Sequence, residues 1–313
     1  MTARPIIIDC DPGQDDAVAL LLALASPDEL RIVGITCVAG NVPLDLTQRN
    51  ARRICELAGR AEMQVFAGCP GPMVRPLKTA EAVHGESGLD GVDLPDPTMS
   101  LQDRHAVEFI IDACRSAEDG EITLCPTGPM TNVATALVQA PDIRRKIREI
   151  VFMGGTAINP GNTTPVAEFN VYVDPHAAQI VMQSGIKLTM LGLDVTHKAI
   201  TTPKRLAAIR AIGSPVAEAV AGMLEFYDRH DIERYGMPGG PLHDPCVIAY
   251  LLAPDIFMGR DCHVAVETGS ELTLGQTVVD WWGVTGMAPN CHVVDHVDSN
   301  AFYGLLIERL GRF

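Results

Sequence analysis

The chain has 313 residues, 47% hydrophobic and 20% charged, the composition of an ordinary soluble globular protein with ample apolar material for a core. Its net charge of −15, from 39 acidic and 24 basic residues, disfavours nucleic acid and anionic lipid and leaves a neutral small molecule as the better partner. The longest apolar run, Ala17 to Ala25, has nine residues, well short of the roughly 20 that a bilayer span requires.

The chain enters its first element at Pro5-Ile6-Ile7-Ile8, which reads as a short buried strand. Asp9-Cys10-Asp11-Pro12-Gly13-Gln14-Asp15-Asp16 follows, with four carboxylates in eight residues. Pro12-Gly13 is a turn signal, and Ala17 to Ala25 reads as the next helix. The carboxylates therefore sit where a strand gives way to a helix, the ligand-binding edge of an open α/β sheet. Two carboxylates about 4 Å apart repel by about 4 kcal/mol at an effective dielectric near 20. Such a crowd needs protons or a cation, and at neutral pH the cation is the less costly solution. Helix capping and the helix dipole account for one or two of these acids, but not for Asp9 and Asp11 on the strand side.

Further strand patterns fall at Arg31–Val38, Gln64–Ala67, Glu121–Cys125, Glu149–Met153 and Ile186–Leu193. Helical patterns lie near Leu46–Leu57, Arg104–Ala117, Thr131–Gln139 and Pro175–Gln183. The alternation predicts an α/β fold: an open, mainly parallel, doubly wound (Rossmann-like) sheet with helices on both faces. Two helices then run over Pro203–Tyr235, a loop spans Gly236–Pro241, and another helix starts at Pro245. Added C-terminal strands are expected at Cys262–Glu267 and His292–Val297, with a closing helix to Leu310. No repeat or linker interrupts residues 1–313, so one domain is expected. The nine cysteines form no C-x-x-C pair. With no export signal at the N-terminus, they point to packing thiols in a reducing cytoplasm.

Polar islands occur where the strand patterns stop: Gly40-Asn41, Pro126-Thr127-Gly128, Met153-Gly154-Gly155 and Leu193-Asp194-Val195-Thr196. Any one of them is a turn by itself. Parallel strands end on one edge, however, so together they converge on the carboxylate cluster. Asn162 and Ala167-Glu168-Phe169-Asn170 set amides and a carboxylate around an aromatic ring, a mixture that can bond a sugar's hydroxyls and stack on its face. His243-Asp244-Pro245 reads equally well as an ordinary helix start and as a catalytic pair. His84-Gly85-Glu86-Ser87-Gly88 is a glycine-flanked loop carrying a lone histidine.

These segments resemble the inosine–uridine-preferring nucleoside hydrolases. The matching motifs are Asp9-Cys10-Asp11-Pro12-Gly13-x-Asp15-Asp16, Gly40-Asn41, His84-Gly85-Glu86-Ser87-Gly88, Pro126-Thr127-Gly128, Met153-Gly154-Gly155, Ala167-Glu168-Phe169-Asn170 and His243-Asp244-Pro245. They run in the family's order over nearly the whole chain. The resemblance implies a soluble α/β enzyme, dimeric or tetrameric, that hydrolyses the N-glycosidic bond of ribonucleosides using Ca²⁺. It implies that Asp11, Asp16, the Thr127 carbonyl and Asp244 are calcium ligands, an all-oxygen set unlike the nitrogen and sulfur donors of zinc sites. Asp11 would also deprotonate the attacking water, which Asn41 helps to orient. Asp15, Asn162, Glu168 and Asn170 would hold the ribose hydroxyls, and Met153 would line the sugar pocket. His84 and His243 would face the base, where an imidazole can donate a proton or a hydrogen bond.

The loop from Tyr235 to Pro241 is similar to that of bacterial pyrimidine-preferring members, with the Tyr near the base. Asp231 stands where some of those relatives would carry a neutral amide, so the base preference leans towards uridine and cytidine or is broad. Trp281-Trp282 is expected to pack or to contact another subunit. Two other readings compete. A haloacid-dehalogenase-type phosphatase also places Asp-x-Asp after a first strand, but Pro12-Gly13 breaks its pattern. A non-catalytic, calcium-dependent nucleoside or ribose binder would carry the same ligand set.

Overall fold

The computed structural model describes residues 3–313, apart from the side chains of Asp231 and Tyr235. The expectations placed on those two side chains therefore lie outside the described residues. Nine strands, β1 (Arg4–Cys10), β2 (Leu30–Cys37), β3 (Val65–Ala67), β4 (Ile122–Pro126), β5 (Ile147–Met153), β6 (Leu188–Leu191), β7 (Phe257–Val266), β8 (Thr277–Asp280) and β9 (Cys291–Val297), form one sheet. Their order is β3-β2-β1-β4-β5-β6-β9-β7-β8. The strands from β3 through β9 in that order are parallel, whereas β7 runs antiparallel to β9 and β8 antiparallel to β7. The expected doubly wound α/β architecture is therefore present.

The chain winds outward from β1 to β3, then crosses back to lay β4 against the other side of β1. That reversal is the switch point of a doubly wound sheet, where a crevice opens beyond the carboxyl ends of two neighbouring strands. Asp9 pairs with Thr36 on β2 and with Pro126 on β4. The register thus delivers Asp11, Asn41 and Thr127 to the same edge.

Alternation along β1 feeds both faces of the sheet: Ile6 and Ile8 join one apolar cluster and Ile7 the other. The helix Gln14–Leu24 is buried along its whole length. It packs against the helices Leu44–Leu57, Pro215–Tyr235, Pro245–Leu252 and Ser299–Leu310. An all-round apolar sequence is what such an enclosed helix needs, and it fixes the first turn of the helix rigidly at the crevice.

Several elements depart from the sequence expectation. The strand placed at Ile186–Leu193 is only Leu188–Leu191, because Gly192 starts a single helical turn at Leu193–Thr196. Residues 169–173, read as part of a polar island, form a short helix capped by Glu168. β7 begins at Phe257, earlier than Cys262, and β8 is an edge strand of four residues too short to stand out as a pattern. Among the described residues no helix is long and apolar enough to cross a membrane.

Because Leu21 is fully buried within the enclosed helix, Leu21→Ala is expected to lower the unfolding free energy by about 3 kcal/mol in a urea titration. Leu272→Ala, at a side chain 86% exposed, is expected to change it by less than about 0.5 kcal/mol.

Candidate active site

Asp11 leaves the end of β1, and the turn at Pro12-Gly13 swings the chain into the helix whose first turn carries Asp15 and Asp16. Donors from Gly13, Asn41 and Thr127 hold Asp11 and Asp16. The Asn41 backbone N–H donates to Asp11 Oδ2 at 2.7 Å, and the Asn41 side chain donates to the Asp11 carbonyl at 3.1 Å. Asp16 accepts from the Gly13 N–H at 3.1 Å, from Thr127 Oγ1 at 2.7 Å and from Asn41 Nδ2 at 3.3 Å. Asp244 precedes the helix Pro245–Leu252, yet its side chain makes no capping bond. Its carboxylate instead joins Asp15 and Asp16, with one oxygen from each lying within 4.8 Å of the others. The ordinary helix-start reading of His243-Asp244-Pro245 therefore fails for the Asp244 side chain.

Asp9 does not join this group. Its Oδ1 accepts from Thr36 Oγ1 at 2.6 Å and from Asn132 Nδ2 at 2.8 Å, which braces the strand ends from behind. Gly40 and Gly128 flank Asp11 so closely that a Cβ on either would run into its carboxylate. Glycine is needed at both positions for the space it leaves.

All four acids are buried: Asp11 1%, Asp15 4%, Asp16 0% and Asp244 3% exposed. Burial comes first, and charge on neighbouring acids second, in holding Asp11 and Asp244 well above the ordinary carboxylate range. Burial likewise raises Asp16, and with the charge of Asp16 it lifts Asp15 to about 7. Asp11 Oδ1 and Asp15 Oδ1 have no hydrogen-bond partner among the described residues. Buried carboxylate oxygens left bare are costly, and an all-oxygen set with a nearby backbone carbonyl fits a hard divalent cation such as Ca²⁺.

Above this floor lies a cavity of about 330 Å³. Asp15, Asn41, Thr127, Met153, Glu168, Asn170 and Asp244 line it, together with Asn162, Phe169, His84 and His243. Asp11 and Asp16 stand behind that surface, bonded to Asn41 and Thr127. The residues selected from the sequence as ion ligands or substrate contacts, where their side chains are described, thus gather at one place, whereas Asp9 and Asp194 do not. Asn170 Nδ2 ties two strand ends together, donating to the carbonyls of Thr127 at 2.7 Å and Met153 at 3.3 Å. Glu168 accepts the N–H groups of Gly155 at 2.9 Å, Asn170 at 2.8 Å and Val171 at 3.2 Å. Burial still outweighs those bonds and lifts its carboxyl to about 7. Asn162 Oδ1 accepts the Phe169 N–H at 3.0 Å, which sets the ring's position.

His84 Nδ1 meets Gln14 Oε1 at 2.7 Å, and His243 Nδ1 meets Thr196 Oγ1 at 2.7 Å. Burial pushes His84 down to about 3 and His243 well below its usual value. Burial thus favours the uncharged form of both rings.

Sequence reasoning missed Gln14, Lys78, Tyr227 and His230. The last three line the cavity, and Tyr227 stands 5.4 Å from His84, ring centre to ring centre. Tyr227 and His230 come from the long helix Pro215–Tyr235, where periodicity reveals a helix but not which of its residues meets a distant loop. Asp194 does not enter the cavity. It gathers the N–H groups of Ala157, Ile158 and Asn159 and so shapes the loop behind it. Neither Trp281 nor Trp282 lines the cavity; Arg260 lies over both rings, and Trp282 is 80% exposed.

The family described as inosine-uridine preferring nucleoside hydrolase matches residues 6–304. The pyrimidine-specific ribonucleoside hydrolase RihA of Salmonella schwarzengrund is 50% identical over 309 residues, 98% of each chain. RihA of Enterobacter sp. is 48% identical over 312 residues, 99% of each chain. The solved purine-preferring ribonucleoside hydrolase from Gardnerella vaginalis superposes with a TM-score of 0.91 at 32% identity, covering 98% of each chain.

Two outcomes are expected of this floor. Gly128→Ala should retain the far-UV circular dichroism of the parent while losing any rise in melting temperature on adding calcium, because the new methyl group displaces Asp11. The second concerns pH. A carboxyl raised in the folded state stabilises below its unfolded pKa and loses that contribution as pH climbs through the folded value. For Asp15 and Glu168 the loss therefore runs from about 4 up through about 7. The lowered histidines act in the opposite sense, but only below their unfolded value of 6.5. Chelator-stripped protein should accordingly lose stability between pH 6.5 and about pH 8 in thermal melts, and calcium should suppress that loss.

Proposed function

Because the chain belongs to the inosine–uridine preferring nucleoside hydrolase family, we propose that its cavity binds a ribonucleoside over a Ca²⁺ ion held by Asp11, Asp16, Asp244 and the Thr127 carbonyl. The chain is a ribonucleoside hydrolase that cuts the N-glycosidic bond. Membership sets aside both the phosphatase and the non-catalytic binder. The observation that carries the calcium assignment is the buried carboxylate floor with two bare oxygens, Asp11 Oδ1 and Asp15 Oδ1. An ion bound there supplies charge neutralisation for the acids and makes a water molecule more acidic.

The chain's own groups do the rest. Asp11, fixed through Oδ2 by Asn41, keeps Oδ1 to accept a proton from the attacking water. Water adds to the anomeric carbon while the bond to the base nitrogen breaks and its electron pair leaves with the base. The positive charge that develops on the sugar ring faces Asp11, Asp15 and Glu168, a preorganised anionic wall. Asp15, Asn162, Glu168 and Asn170 hold the hydroxyls, with Met153 and Phe169 as apolar walls. His84 and His243 meet the base side, where their neutral rings can take part in hydrogen bonds without repelling the sugar cation.

The pyrimidine-specific relatives and the loop from Tyr235 to Pro241 support uridine and cytidine as preferred substrates. The continuous sheet supports one domain over residues 1–313. The nine free thiols support a cytoplasmic location, and a dimer or tetramer completes the reading.

With calcium present, purified protein should release base and ribose from uridine and cytidine at higher kcat/KM than from inosine or adenosine. Chelation should abolish turnover, and added calcium should restore it. Asp11→Asn should keep the fold and reduce kcat by at least about a hundredfold; near-parent turnover in that variant would remove Asp11 from the mechanism.

A further inference from the structure

Gln14 is fully buried at the start of the helix Gln14–Leu24, and its surroundings dictate how its amide is oriented. Nε2 donates to the backbone carbonyls of His84 at 2.9 Å and Asp90 at 3.0 Å. A carbonyl oxygen only accepts, so the amide nitrogen must face that pair; the reversed amide would set three oxygens together. Oε1 is thereby turned to His84 Nδ1, and it too can only accept. The hydrogen in the 2.7 Å contact therefore belongs to His84 Nδ1.

The ring is 6% exposed and no carboxylate is bonded to it among the described residues. It is neutral, so its second nitrogen carries a lone pair and no hydrogen. No described group donates to Nε2, and the ring lines the cavity. Gly13 completes the arrangement, because a Cβ there would strike the imidazole.

We infer that Gln14 is a positioning residue that locks His84 in the Nδ1–H form, leaving Nε2 to accept a hydrogen bond from an N–H or O–H of the substrate. This rests on the ribonucleoside reading and deepens it by separating the two histidines. His84 can only accept. His243 meets the Thr196 hydroxyl, which can donate or accept, and so keeps both options. In a ribonucleoside whose vicinal diol lies on the acidic floor, the donors left for His84 are the 5′-hydroxyl and a base N–H such as N3–H of uracil.

Two measurements on the full chain decide the matter. Nitrogen-15 shifts of histidine-labelled protein, with His84 identified by its loss in His84→Asn, report which ring nitrogen holds the hydrogen. Alongside, kcat/KM is measured for wild type and Gln14→Met on uridine, 5′-deoxyuridine and 3-methyluridine. The expected result is a wild-type hydrogen on Nδ1 and its movement towards Nε2 in Gln14→Met. The variant should lose about tenfold in kcat/KM on uridine. That loss should vanish on 5′-deoxyuridine if the hydroxyl is the donor, or on 3-methyluridine if the base is. A wild-type hydrogen on Nε2, or an equal loss on all three substrates, would overturn the inference. If wild type turns over no nucleoside, the hydrolase reading fails instead, and the wild-type shift alone decides whether the lock exists.

Discussion

Asp11, Asp15, Asp16 and Asp244 are crowded together and buried at one end of the cavity, and the architecture around them follows from their repulsion. Four buried carboxylates cannot all ionise without compensation. The fold brings N–H and O–H donors from Gly13, Asn41 and Thr127 against them, and sets the amino end of a long buried helix directly beneath. Those donors leave two oxygens bare, and the bare oxygens are the reason a cation belongs to the proposed mechanism. Gly40 and Gly128 are confined to glycine by the same constraint, because Asp11 occupies the volume that their side chains would fill.

The cavity is divided by chemistry as well as by shape. Its floor is anionic and suits a sugar that becomes positively charged. Its upper wall holds imidazoles that burial keeps neutral, with Tyr227 beside them. Cationic histidines there would oppose an oxocarbenium-like ring, whereas neutral ones can still read hydrogen-bonding groups. Sheet topology makes this division possible: the acids come from the turn after β1 and from Asp244 in the long segment after β6, with Asn41 and Thr127 from the turns after β2 and β4, while His84 follows β3, Glu168 and Phe169 follow β5, and His243 and Tyr227 follow β6.

The floor was legible in the sequence because its residues are local to strand ends. The Asp9 to Asp16 segment, Gly40-Asn41 and Pro126-Thr127-Gly128 each follow an apolar run, and parallel strands bring such segments together wherever the sheet closes. What periodicity could not supply was the side-chain direction at a junction. Asp9 looks like a member of the cluster but turns to Thr36 and Asn132, while Asp244 looks like a cap yet points into the cluster. Gln14 passed as a spacer because its meaning depends on a loop 70 residues away. Tyr227 and His230 lie on a helix whose sequence marks it as helical without marking the turn that reaches the cavity. β8 was missed because four residues at a sheet edge carry too little pattern.

On the proposed function, the acidic floor holds a divalent ion in place of protons. Calorimetric titration of calcium into chelator-stripped protein near pH 7, repeated in buffers of different ionisation enthalpy, tests it directly. The expected result is one ion per chain, bound with net release of protons from the raised carboxyls and lost in Asp16→Asn. Absence of saturable binding, or binding without proton release that survives Asp16→Asn, would contradict it.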